Sequence, residues 1–136
     1  MSTIIDEFWI ITLDGIPLFS YSLSIKSDYN MVSSFFSALQ SFTIELLKDS
    51  KGDYINSIVL GNFAYYFLFR EEEQLYFISK SKKHIKTKNL KTHIEKIADM
   101  FVKKYLVNLQ NFDGEVGTFL DFKEDYIKYY TSKVKR

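Results

Sequence analysis

Two histidines, three carboxylate groups and a run of lysines are the side chains in this sequence most able to do chemistry. His84 and His93 stand nine residues apart. Neither has a ligand partner three or four residues away, as a helical metal site would need, so both are expected to be solvated. The carboxylates fall at Asp6-Glu7, Glu71–Glu73 and Asp121/Glu124/Asp125. A general acid/base pair needs one carboxyl desolvated to raise its pKa. A chain terminus, a hairpin tip and a polar helix face should instead keep these groups hydrated and ordinary. Zero cysteines exclude disulfides, thiolate zinc sites and cysteine nucleophiles. The sequence contains no G-x-x-x-x-G-K-[ST] or G-x-G-x-x-G phosphate cradle and no G-x-S-x-G elbow. The expectation is a non-enzyme with no metal and no cofactor.

The lysine run is the strongest charge feature: Lys80, Lys82, Lys83, His84, Lys86, Lys88 and Lys91. Lysines beside a charged leaflet add about 1 kcal/mol each, so the segment could contact anionic headgroups, RNA or an acidic partner. It could equally be a solvated loop balancing Glu71–Glu73. Nucleic-acid binding would call for aromatics interleaved with the lysines. Tyr76 and Phe77 precede the run and read as core, which argues against nucleic acid. The net charge of +1 gives no general attraction to polyanions.

These groups need a scaffold, and 136 residues suffice for one domain. Phenylalanines and tyrosines number 13 and 10 against one proline and five glycines, which excludes disorder. No apolar run approaches the roughly 18 residues of a membrane span, and Met1–Asp6 lacks the pattern of a signal peptide. A soluble, cytoplasmic protein is expected. Phe8–Leu13, Asp14-Gly15 and the alternating Phe19, Tyr21, Leu23 and Ile25 predict a hairpin. Val32, Phe35, Phe36, Leu39, Phe42 and Leu46 predict a helix. Ile55–Leu60, Phe63–Phe69 and Leu75–Ile78 predict three strands, followed by a polar connection over Ser79–Lys88. Leu90, Ile94, Ile97, Ala98, Phe101, Tyr105 and Leu109 predict a second helix, and Phe119, Leu120, Tyr126, Ile127 and Tyr130 a third. Short turns pair strands 1 with 2, 3 with 4, and 4 with 5. Strands 1, 4 and 5 are apolar on both faces and belong in the middle. An antiparallel sheet ordered 2-1-5-4-3 follows, with one helix on one face and two on the other.

The element order, the opening FWIITLDGIPLFSYS and the block IVLGNFAYYFLFREEEQLYFISKS before a long helix resemble a longin (SNARE-like) domain; the roadblock-type domain is the nearest rival. The resemblance spans about residues 4–131 and implies a single α+β domain, a three-layer α/β/α, profilin-like fold. No SNARE motif or membrane anchor follows Arg136, so the expectation is a free-standing module. The resemblance implies a scaffold in small-GTPase-regulating or membrane-trafficking assemblies. Its partner would be a small GTPase, a second longin- or roadblock-type domain in a homo- or heterodimer, or an extended peptide. Family members bind such partners beside strand 3. Strand 3 carries neither Pro nor Lys between Tyr54 and Leu60, so common devices for blocking an edge are missing. Phe35, Phe36, Leu39 and Phe42 on the first helix, with Ile55, Ser57 and Val59 on the strand, are the candidate partner-binding residues. For the phenylalanines, burial against the sheet is the competing role. The alternative is peripheral binding to anionic membrane or nucleic acid through Lys80, Lys82, Lys83, Lys86 and Lys88, with recruitment to membrane surfaces. Tyr126, Tyr129 and Tyr130 would mark a further interface if exposed together.

Overall fold

Side-chain alternation gives the sheet two apolar faces. The computed structural model describes residues 5–13, 15–22, 41, 54–85 and 87–134. Strands β1 (Glu7–Thr12), β2 (Pro17–Ser22), β3 (Tyr54–Leu60), β4 (Phe63–Arg70) and β5 (Leu75–Lys82) form one antiparallel sheet in the order β2-β1-β5-β4-β3. This is the expected order. The tight Gly61-Asn62 connection works because Gly61 adopts φ +64, a region costly to residues with a Cβ. Between β1 and β2, Gly15 N–H donates to the Thr12 carbonyl at 3.0 Å and Ile16 N–H to Thr12 Oγ1 at 2.9 Å.

On β4, Ala64, Tyr66 and Leu68 point to one face, and Phe67 and Phe69 to the other. The first face is covered by helix α1 (Thr87–Gln110), a 3₁₀ turn (Val116–Phe119), α2 (Phe122–Tyr129) and a terminal π turn (Tyr130–Val134). Leu90, Ile94, Ile97, Ala98, Phe101 and Tyr105 recur at helical spacing and are all buried. Rings fill the junction. Phe101 packs edge-on against Phe77 and Phe122, while Phe8 stacks on Tyr126 at 5.2 Å. On the second face Ile11, Phe67, Phe69, Tyr76 and Ile78 form a separate buried cluster, with Trp9, Leu13 and Ile58 around it. The helix expected over this face, Val32–Leu46, lies outside the described residues apart from Ser41, which is helical and exposed.

Two expectations about elements need correction. β5 does not end at Ile78 but continues through Ser79, Lys80, Ser81 and Lys82. Its serines are buried on the α1 face while Lys80 and Lys82 alternate away, so a polar stretch belongs to the sheet. On the last helix, Leu120 and Ile127 are exposed, and the buried residues are Phe119, Phe122, Tyr126 and Tyr130. Phe122, Tyr126 and Tyr130 are spaced four apart and so share one stripe. Tyr126 and Tyr130 are therefore core residues, and only Tyr129 of the three is half-exposed. Burial pushes the Tyr126 phenol far above its usual range. The three tyrosines do not form an exposed interface.

Candidate interaction site

Among the described residues, strand β3 forms one edge of the sheet and pairs with β4 alone. Leu60 and Phe63 flank a two-residue hairpin, so that pair exchanges hydrogen bonds. The next pair, Val59 with Ala64, does not, and the Val59 N–H and C=O point away from β4. Val59 is 60% exposed, large for a branched aliphatic on a strand. Ser57 is also exposed, and Ile58 turns to the second face. Ile55, Ser57 and Val59 share one alternation, opposite Leu68, Tyr66 and Ala64. Phe35, Phe36, Leu39 and Phe42 lie outside the described residues, and the groove expected between their helix and β3 needs correction: Ser57 and Val59 stand on the α1 face, opposite the face that helix was expected to cover.

The basic segment adjoins this edge. Lys83 N–H donates to the Asn62 carbonyl at 3.1 Å, joining the end of β5 to the β3–β4 turn. Lys82, Lys83, His84, Lys88 and Lys91 are exposed, whereas Lys86 lies outside the described residues. Lys80 must be removed from the surface-contact group. Its Nζ lies 3.0 Å from Glu7 Oε2 and 4.3 Å from the centre of the Phe63 ring. The side chains of Lys80 and Glu7 are 15% and 3% exposed, so this is a buried ion pair. Lys80 opposes Glu7 on one side and Tyr65 on the other in the ladders, which explains the convergence.

The Asp6-Glu7 pair is thus not hydrated as expected. Burial raises the Asp6 carboxyl above its ordinary range, against the pull of Lys82 and Lys80. Burial likewise raises the Tyr65 phenol, against Lys80, beneath a stacked Trp9 ring. Sequence reasoning missed the Glu7–Lys80 pair; the available signal was the Ser-Lys-Ser-Lys alternation that carries Lys80 into the sheet. Elsewhere, Arg70 bridges Glu73 and Asp99, and Lys104 pairs with Asp125. Among the described residues, no three His, Asp or Glu side chains are grouped to hold a metal ion.

His84 is exposed, but His93 is not solvated as expected. His93 Nδ1 lies 3.0 Å from the Tyr129 hydroxyl, joining α1 to the end of α2, and burial lowers the imidazole pKa below its ordinary 6.5. The folded state therefore favours neutral histidine. Stability should be fully present above 6.5 and should fall as pH drops through that value toward the lower folded pKa. Thermal midpoints measured across this window should decline in the wild type, and His93→Asn should remove the histidine part of the decline. An unchanged slope in the variant would show that His93 titrates alike in both states.

No protein-family model matches the chain, and no curated protein matches it in sequence. The sheet order and the helices over its first face give a longin-like α+β fold. Among solved structures it resembles a chain from the structure of the mammalian SRP receptor: TM-score 0.59, 15% identity, covering 93% of this chain and 92% of that one. At that identity the likeness shows the fold. No described helix is long and apolar enough to cross a membrane.

Proposed function

We propose that this chain is a non-catalytic, longin-like interaction module, a scaffold in a small-GTPase-regulating or membrane-trafficking assembly. The observation that carries this reading is the β3 edge, with the outward backbone of Val59 beneath an exposed apolar side chain. Such an edge is a template for β-augmentation by another strand. The partner is a second longin- or roadblock-type domain, a small GTPase or an extended peptide. The use of this fold in a chain of the SRP receptor structure supports a partner-binding role. Val59→Pro tests it, because proline there removes an outward N–H and no ladder bond. The variant should stay folded yet lose self-association and capture of partners from GTP- or GDP-loaded cytosol. Unchanged association in a folded variant would place the interface elsewhere.

A second reading rests on the exposed Lys82, Lys83, Lys88 and Lys91 around the same end of the sheet. Peripheral binding to anionic membrane or RNA through these lysines would be salt-sensitive and lost on charge reversal of Lys82 and Lys83. The edge-strand interaction would survive that reversal.

A further inference from the structure

Helix α2 runs along β1 and β2 toward the end of the sheet where β5 stops. Phe122 packs on Phe19, and Tyr126, one turn later, packs on Phe8 and Tyr21. Phe8 and Tyr21 are ladder neighbours, and Phe8 also opposes Ser79, one residue before Lys80. The end of α2 and the π turn Tyr130–Val134 therefore emerge beside the start of α1, where His93 meets Tyr129. Lys128 and Lys133, both exposed, are brought to the end of the molecule that carries Lys82, Lys83, Lys88 and Lys91.

Little negative charge offsets this face. Among the described residues its acids are Asp6, one oxygen of which is buried, and Glu7, which is paired with Lys80. Glu95, the next exposed carboxylate, stands about two turns into α1. Exposed carboxylates gather at the opposite end instead: Glu72 in the β4–β5 turn, and Asp113 and Glu115 beyond the end of α1. Helix α1 starts at the basic face with no acidic residue in its first turn, so the positive end of its dipole adds to the lysines. A net charge of +1 thus conceals two oppositely charged ends.

We propose that this whole basic end, Lys128 and Lys133 included, seats the chain upright on an anionic lipid bilayer, with the acidic end turned to water. The proposal rests on the peripheral-binding reading above and commits it to lipid. Single lysines spread over β5, α1 and the end of α2 suit a charged plane, where each contributes by proximity. A nucleic acid would call for stacking aromatics or for arginine forks on phosphate. Tyr126 and Tyr130 are buried, and Tyr129 packs edge-on against His93. Among the described residues the one arginine, Arg70, ends β4 at the acidic end. The β3 edge then stands along the membrane normal and stays open to its own partner.

The test is co-sedimentation of the full chain with phosphatidylcholine vesicles, with and without phosphatidylserine, at low and high salt. The chain should bind the phosphatidylserine vesicles alone, and salt should release it. Lys128→Gln with Lys133→Gln should weaken binding about twentyfold, at roughly fivefold per lysine held near the leaflet. Lys103→Gln with Lys123→Gln removes the same charge far along α1 and at the start of α2, and should leave binding near wild type. Equal losses in the two double variants would overturn the proposal, because net charge and not this face would then govern binding. Suppose Lys82→Glu with Lys83→Glu abolishes binding while the Lys128/Lys133 variant binds as wild type. The lysine run then acts alone, so peripheral binding stands and this proposal fails. No binding to phosphatidylserine vesicles defeats both. An RNA duplex bound more tightly than the vesicles would also overturn it, assigning the face to nucleic acid.

Discussion

Phe67→Ala should lower the unfolding free energy by about 3–5 kcal/mol, the usual cost of emptying a large aromatic site in a packed core. Phe67 is fully buried in the middle of β4, between Asn56 of β3 and Ile78 of β5 in the ladders. It sits with Ile11, Phe69, Tyr76 and Ile78 on the face turned away from α1 and α2. The loss combines the transfer free energy of the ring with the cavity it leaves. Urea unfolding measures it. A midpoint close to wild type would mean that this second face is not a packed core.

Lys80→Met should cost about 3 kcal/mol, because it leaves the Glu7 carboxylate buried without its main cation. Its stem would still cover Phe63, so the charge itself is what the variant removes. Adding Glu7→Leu should restore much of the loss, since a buried pair replaced by apolar groups of similar size is often neutral or stabilising. A double-mutant cycle reads this as a large coupling between the two positions. If the two losses simply add, Glu7 and Lys80 act independently and the pair is not a unit.

Much of this architecture can be read from short-range patterns. Asp14-Gly15 and Gly61-Asn62 fix two hairpins, and the double-sided apolarity of Phe63–Phe69 and Leu75–Ile78 places β4 and β5 inside the sheet. The polar Asn56 and Ser57 mark β3 as an edge, the place it takes in the sheet. What escaped was long-range or masked by polarity. Glu7 and Lys80 are 73 residues apart, and no local spacing links them. The serines of Ser79–Lys82 look like a loop, yet they are small enough to lie under α1 while the lysines alternate to the other side. Leu120 and Ile127 read as core by type; the buried stripe instead follows Phe122, Tyr126 and Tyr130, and only packing against Phe8 and Phe19 selects that phase. The candidate site was half legible: the edge strand and the lysine run were, but that the two adjoin was not, because the Lys83–Asn62 bond is made by tertiary structure.

Amide hydrogen exchange at Val59 tests whether β3 is an open edge poised to pair with a partner strand. In the dilute protein, Val59 N–H should exchange far faster than the N–H groups of Ile58 and Leu60, which point into the ladder with β4. Raising the protein concentration, or adding a captured partner, should slow Val59 toward its neighbours. Val59 protected as strongly as Ile58 and Leu60 in dilute solution, or unchanged exchange once a partner is bound, would contradict the account.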